Sequence, residues 1–344
     1  MDISSMTLPE LEALVLSLNE KKYRAKQIFE WIHNKHARSF SEMTNLSADF
    51  RALLESEYNI EQVSIEKKYE SFNNDVHKYL LRLTKDTIIE SVLMKYSFGE
   101  SICVSSQAGC AMGCAFCRSG EDGFFRNLSA YEILAQVYRI CEDIDTRISN
   151  IVIMGSGEPL HNFDNVVKFI DIVSHEQGLN IGKRHITLST CGIVPGIYKL
   201  ADLKLQINLA LSLHASNDDV RKKLLPVAET YGIDETLEAC DYYAKTTGRR
   251  VTYEYALVKG INDNAEFAKE LGHRLKGRLA HVNLIPVNAN SSSQGIFKSP
   301  ERANIQDFYD KLTMTGIKVS VRRELGSDIA AACGQLKSEY IKSR

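Results

Sequence analysis

No stretch of this chain approaches the roughly 18 consecutive apolar residues that a membrane-spanning helix needs. The opening segment, "MDISSMTLPELEALVLSLNEKK", starts acidic and polar, with no basic region ahead of an apolar core. It does not read as a secretory leader, so a cytoplasmic protein with no membrane partner is expected. Low-complexity segments are missing, and so is a strong net charge. The formal charge is −2, which gives no global signal for nucleic acid. Lys and Arg gather only locally, in "KKYRAKQ" (21–27), "GRR" (248–250) and "VRR" (321–323). Such runs are ordinarily solvated faces, although local patches can hold RNA when the net charge is near zero.

What remains is an ordinary globular composition, 44% hydrophobic and 25% charged over 344 residues, enough for one large domain and a small one. Residues 1–60 read as a helical N-terminal accessory domain. In "LPELEALVLSL" and "YRAKQIFEWIHNK" apolar residues recur at three- and four-residue spacing, and Ser47 suits the N-cap of "ADFRALLESEY". Residues 61–95 change to short apolar runs between turn signals, "VHKYLLRL" and "IIESVLMKY", which predict a β-hairpin extension. From residue 96 to 344 strand-like segments alternate with helical ones. The strands are 101–107, 150–155, 185–190, 205–214, 250–258, 280–287 and 317–323. Alternation of this kind implies an α/β fold with a parallel sheet. Six or seven units predict a partial TIM-type (β/α)6 barrel, whose chemistry sits at the C-terminal strand ends.

The eight cysteines stand out in a chain expected to stay in a reducing compartment, where close spacing points to metal binding or catalysis. "GCAMGCAFCRSG" (109–120) places Cys110, Cys114 and Cys117 just after the first barrel strand. Thiolates are the usual ligands of iron–sulfur clusters. Three of them on a [4Fe–4S] cube leave one iron open, the property that separates a catalytic metal site from a closed one. Other readings of the triplet are a zinc site borrowing Cys103 or a distant His, a redox-active pair, or unliganded core thiols.

Further polar residues fall at the same strand ends. "MGSGEP" (154–159) carries Gly157 and Glu158, "LSTCG" (188–192) carries Ser189, "LSLHAS" (211–216) carries Ser212, Leu213 and His214, and "LIPVN" (284–288) carries Asn288. Singly each is an ordinary satisfied polar group or turn. On one rim they make a cofactor pocket, with Glu158 suited to an ammonium group. Cys141 and Cys240 sit in helical patterns and read as core thiols, and Cys191 as a pocket-lining one.

The C-x3-C-x2-C spacing is the signature of the radical S-adenosylmethionine (SAM) enzymes, and the chain as a whole resembles the RlmN/Cfr family of radical SAM RNA methyltransferases. The likeness runs nearly end to end, through "YRAKQIFEWIHNK", "ESVLMKY", "CVSSQAGCAMGCAFC", "GEPLHN", "TLSTCGIVP", "LALSLHA", "HVNLIP" and "VRRELGSDIAAACGQL". It implies a [4Fe–4S] cluster on Cys110, Cys114 and Cys117 and two SAM molecules per turnover. It makes Cys333 the carrier of an S-methylcysteine intermediate. The methyl group loses hydrogen to a 5′-deoxyadenosyl radical and links to adenine, and Cys103 resolves the adduct, leaving a transient Cys103–Cys333 disulfide. Glu90 would accept the proton of the methylated carbon.

The resemblance further implies 23S rRNA and tRNA substrates, an electron donor such as flavodoxin or ferredoxin, and a monomer. Within the family, methylation occurs at adenine carbon 2 or carbon 8. Carbon-8 enzymes tend to carry Ala after the Gly-Glu and Arg after "NLI"; Pro159 and Pro286 stand there in this chain and favour carbon 2. Departures from the family pattern are Ser156, Arg118, Ala289 and Ala330. A zinc-stabilised RNA-binding module without catalysis is the alternative of a different class.

Overall fold

A computed structural model describes residues 2–84, 87–121, 123–287, 297–322 and 325–331. The helical spacing near the N-terminus becomes α1 (Leu8–Ser17), α2 (Tyr23–His33) and α3 (Ala48–Glu57). Thr7 starts α1 with a capping box, its backbone N–H donating to Glu10 Oε2 at 2.9 Å. Ser47 Oγ accepts from Phe50 N at 3.4 Å, the N-cap expected from the sequence. Ala25, Ile28, Phe29 and Ile32 form the buried stripe of α2.

Three antiparallel strands follow, β1 (Ser64–Glu70), β2 (Val76–Thr84) and β3 (Thr87–Tyr96). Next comes β4 (Gly99–Val104), paired antiparallel with β3 and parallel with a later strand. The segment 101–107 reads as one strand but breaks after Val104. Ser106 and Gln107 turn their N–H groups to the Ser156 carbonyl, at 2.9 and 3.1 Å. The chain then forms a separate pair, β5 (Gln107–Gly109) with β6 (Phe124–Asn127), which brackets the cysteine loop.

Beyond α4 (Ala130–Ile144) the strand–helix alternation is regular. It runs β7 (Ile148–Ile153), α5 (Phe163–Ser174), β8 (Ile186–Thr190), α6 (Val194–Asp202), β9 (Asn208–Ser212), α7 (Asp218–Leu224), α8 (Ile233–Thr247), β10 (Val251–Leu257), α9 (Ala265–Leu275), β11 (Ala280–Pro286), α10 (Arg302–Met314) and β12 (Lys318–Val321). Helix α7, inside the charged run "NDDVRKKL", carries too short an apolar pattern to be read from sequence. Asn217 caps it, accepting from Val220 N at 3.1 Å.

All strands but β5 and β6 join one sheet in the order β1-β2-β3-β4-β7-β8-β9-β10-β11-β12. From β4 onward neighbours are parallel, so the α/β core is a partial barrel that β1–β3 extend at one edge. Helix α4 explains how the N-terminal helices are held. Every residue from Ala130 to Ile140 is buried, because the helix lies between the sheet and the N-terminal helices and is covered on all sides. On its outer side His33 Nδ1 meets the Tyr138 hydroxyl at 3.0 Å, Arg38 pairs with Glu142 at 2.9 Å, and Tyr131 N donates to Ser5 Oγ at 3.1 Å. Burial pushes the His33 pKa down to about 3, so the imidazole stays neutral in this contact. On its inner side Gln136 is buried but satisfied, bonding Ser91, Ser105 and the Glu132 carbonyl.

Candidate active site

The three cysteines occupy a loop that hydrogen bonds hold closed. Cys110 N donates to the Gly123 carbonyl at 3.0 Å, Cys117 N to the Cys114 carbonyl at 3.0 Å, and Ala115 N to the Leu224 carbonyl at 2.9 Å. Gly109 is in the left-handed region at φ +73°, and a Cβ there would run into the Gly123 carbonyl oxygen, so the turn into the loop requires glycine. All three thiols line one cavity of about 250 Å³ at the C-terminal ends of the barrel strands. Burial pushes the Cys110 thiol up to about 11 and Cys114 well above its ordinary value, with the neighbouring cysteines adding to both.

Gly157, Glu158, Ser189, Ser212 and His214 line the same cavity, as their strand-end positions predict. Leu213 does not. Its side chain packs in the main core, and its N–H goes to the Glu254 carbonyl at 3.1 Å. Asn288 lies outside the described residues. Glu158 has more to do than face a ligand. Its Oε1 accepts from Leu160 N at 3.0 Å and its Oε2 from Cys191 N at 2.8 Å, so the carboxylate ties the end of β7 to the end of β8. Gly157 likewise serves internal packing. It has φ +107°, and a Cβ would come 2.8 Å from Gln107 N. Its small size lets the β7 end press on the chain entering the cysteine loop. Ser156, one of the family departures, joins this contact, donating from N to Ser105 Oγ at 2.9 Å.

His214 accepts at Nδ1 from Ala256 N at 2.9 Å. An imidazole accepting there carries its proton on Nε2 when neutral. Burial, with Arg221 adding, pushes its pKa down to about 3, so it is neutral at physiological pH. The Phe116 ring meets it edge-on, with centroids 4.9 Å apart.

Glu254 and Arg322 also line the cavity and were not singled out from the sequence. Cα partners run Ser212, Glu254, Asn283 and Ser320 across β9 to β12. Paired residues in a sheet share a face, so the row is one polar band inside the barrel. Asn283 Nδ2 donates to Glu254 Oε2 at 2.8 Å, and Ser320 Oγ to Asn283 Oδ1 at 3.0 Å. Burial raises the Glu254 pKa, against the lowering effect of Arg322 and Asn283. The one available signal was a carboxylate inside the apolar strand "VTYEYAL".

Glu90 and Cys103 are not on the cavity lining but beside it. Val92 of β3 pairs with Cys103 of β4, and Glu90 stands two residues before Val92 on the same sheet face. Cys103 packs there against a cluster of Val76, Val92, Met94 and Ala331, of which Val76, Met94 and Ala331 reach the cavity. Cys333 lies outside the described residues, two positions beyond Ala331. Cys240 is fully buried in the core and Cys141 packs at its edge, as expected, while Cys191 lines the cavity.

Residues 1–60 match the ribosomal RNA large subunit methyltransferase N-terminal domain and residues 104–271 the radical SAM superfamily. A probable dual-specificity RNA methyltransferase RlmN of Alkaliphilus oremlandii (strain OhILAs) is 52% identical over 342 residues, 99% of each chain. One of Clostridium botulinum (strain Eklund 17B / Type B) is 53% identical over 343 residues, 100% of this chain and 98% of that one. The chain belongs to the RlmN family of radical SAM RNA methyltransferases. The crystal structure of a radical SAM methyltransferase from Sphaerobacter thermophilus carries the same fold, with a TM-score of 0.91 and 40% identity over 98% of this chain and 99% of that one.

As an RlmN-family transferase the protein uses a [4Fe–4S] cluster and SAM. The residues present fit the cluster. Three soft thiol donors on one loop face one cavity, and burial disfavours the thiolate forms of Cys110 and Cys114 until a cationic group compensates. Among the described residues no three His, Cys, Asp or Glu side chains are gathered as ligands of a single ion are. A cube holds its ligand sulfurs farther apart than a lone ion does. Among the described residues, no helix is long and apolar enough to cross a membrane.

Proposed function

We propose that this enzyme methylates carbon 2 of an adenosine in the peptidyl-transferase centre of 23S rRNA, and adenosine 37 of tRNA, by way of a methyl group carried on Cys333. The observation that carries the reading is the shared sheet face. Glu90 and Cys103 stand on it, and the segment ending at Ala331 packs against it. Cys333 is two positions beyond Ala331, a reach of at most about 7 Å.

Cys110, Cys114 and Cys117 hold the cluster, and Gly157, Glu158, Ser189, Ser212, His214 and Asn288 frame SAM, with Leu213 packed in the core between Ser212 and His214. The bound cluster and SAM supply a 5′-deoxyadenosyl radical. Cys333, as thiolate, takes the methyl group of one SAM, and S-adenosylhomocysteine leaves with the bonding pair. That methyl group later gives up a hydrogen atom, the carbon radical so formed adds to adenine carbon 2, and the one surplus electron would return to the cluster as the proton of that carbon leaves. Glu90 accepts the proton of that carbon. Cys103, as thiolate, then attacks the Cys333 sulfur. The S–S bond forms as the carbon–sulfur bond breaks, the bonding pair leaves with the methylene carbon, and that carbon takes up a proton to become the product methyl group. A thiol reductant reopens the Cys103–Cys333 disulfide. Pro159 and Pro286 favour carbon 2 over carbon 8 by family pattern, and Pro286 lines the cavity. Mass spectrometry of rRNA and tRNA from cells with and without the gene tests the reading. 2-Methyladenosine should disappear with the gene; loss of the 8-methyl isomer, or of neither, would overturn it.

In this reading residues 1–60 grip RNA, 61–95 carry Glu90 and 96–344 form the barrel with the Cys333 segment. The enzyme works as a cytoplasmic monomer reduced by flavodoxin or ferredoxin. Within "KKYRAKQ", Lys22 pairs with Glu12 at 3.0 Å, and Arg24 is drawn to Gln27 and the Asn45 carbonyl, both at 2.9 Å. Lys21 and Lys26 are exposed and free to meet phosphates. Reversing both to Glu should weaken RNA binding and reduce the slope of log affinity against log salt by about one per lost contact. Unchanged binding in a filter or fluorescence titration would remove this domain from the role.

A further inference from the structure

The cavity-side face of the β1–β3 extension holds the Lys78 ammonium in an apolar setting. Register places Tyr69 beside Lys78, Lys78 beside Val92 and Val92 beside Cys103. Leu325 and Ala331 pack onto this face with Val76 and Met94. The Lys78 side chain is 12% exposed, little enough that its charge must be answered from within the protein. Its Nζ lies 3.9 Å from Glu90 Oε1, 3.4 Å from the Ala330 carbonyl oxygen and 5.1 Å from the Tyr69 ring centroid.

Ala330 is a turn that needs holding. Its φ is +49°, in the left-handed region that a side chain with a Cβ disfavours. Two other contacts seat the same segment. Phe72 N donates to Asp328 Oδ2 at 2.8 Å, and Gly326, at φ +66°, lies so close to Val76 that a Cβ would come within 2.9 Å of its Cγ1. Neither of these reaches Glu90. Lys78 reaches both.

We propose that Lys78 is a positioning residue for RNA methylation: its ammonium ties the Glu90 carboxylate to the Ala330 carbonyl and holds the proton acceptor and the chain leading to Cys333 in one frame. The inference rests on the roles read above for Glu90 and Cys333. In the step concerned the proton of carbon 2 passes to a Glu90 oxygen, and the carbon–hydrogen electron pair stays with the adenine ring. Glu90 must be ionised to accept it, and an ammonium at this distance favours the ionised form. Other described groups face the same surface. Lys67 Nζ lies 4.7 Å from the Tyr69 ring centroid, Arg82 is held by Glu66 at 2.8 Å, the Cys103 thiol is on β4, and Asp328 is on the docked segment. A spacer would not need the charge, since a buried ion pair can give way to apolar side chains of similar volume without loss of stability.

The test compares Lys78→Met, Lys78→Arg and Glu90→Gln in the full enzyme with reconstituted cluster, by single-turnover methylation of an RNA substrate across pH. Equal iron content serves as the folding control. Lys78→Met should slow methylation about 10- to 100-fold and move the acid limb of the pH profile upward by about one unit or more. Lys78→Arg should restore most of the rate and return the limb. Wild-type rate and limb in Lys78→Met would overturn the inference, as would a slower rate with an unmoved limb. Glu90→Gln separates the two readings. If it methylates at the wild-type rate, the base assignment fails and the Lys78 role with it. If Glu90→Gln is inactive while Lys78→Met is unaffected, only the Lys78 role fails.

Discussion

Replacing Cys114 with alanine should yield a folded, colourless protein that binds almost no iron, releases no 5′-deoxyadenosine and methylates no RNA. The expected loss of activity exceeds about a thousandfold, the scale on which removing a group that the chemistry passes through is felt. Cys114 is the most deeply buried of the cluster cysteines whose thiols burial raises, and its two partners line the same cavity. With one thiol gone, only two protein ligands remain for the cube. The fold should survive, because the loop backbone is held by Cys110 N to the Gly123 carbonyl and Ala115 N to the Leu224 carbonyl. Cys114 itself only packs against the smaller cluster of Ala215, Leu224 and Leu225, apart from the main core. Iron analysis, the visible spectrum and a thermal melt check this together. A brown, iron-loaded variant would sink the ligand assignment.

Replacing Cys103 with alanine should have an equally large effect of a different kind. The methyl group would still reach Cys333 and the carbon bond to adenine would still form, but nothing would break the sulfur bridge. A covalent RNA–protein species resistant to denaturation should accumulate, with less than about one methylated RNA released per enzyme and multiple-turnover rates down by more than about a thousandfold. The strand should be little disturbed. Cys103 is half-buried, its ladder bonds to β3 and β7 are backbone ones, and losing one sulfur at such a site costs about 1 kcal/mol. Denaturing gels of a reaction with labelled RNA read the outcome. Wild-type turnover without an adduct would remove Cys103 from the resolving role.

Much of this molecule was legible in its residues, and the parts that were not share a cause. Local periodicity is enough to draw α2, α4 and the barrel strands, because each buries one face and the burial is written into its spacing. It misses β5, β6 and α7, which are too short to show a period. It also mislocates the end of the first barrel strand, where Ser106 and Gln107 leave the ladder to serve the Ser156 carbonyl. Glu158 and Gly157 read as ligand-facing groups, yet their hydrogen bonds and close contacts are spent joining strand ends to the cysteine loop. Glu254 went unnoticed because a single carboxylate in an apolar strand has no motif. Its meaning comes from the row of Ser212, Asn283 and Ser320 beside it.

Sequence alone determined the ligand set and the order of the chemistry-bearing strands, because eight residues of loop suffice to gather three thiols. Tertiary structure decided which distant groups meet. Lys78, Glu90 and Cys103 share one sheet face through the registers of β2, β3 and β4, and the segment that leads to Cys333 returns to that face after some 240 residues of intervening chain. No local pattern encodes that meeting, since strand register and the docking of a distant segment depend on the packing of the whole sheet.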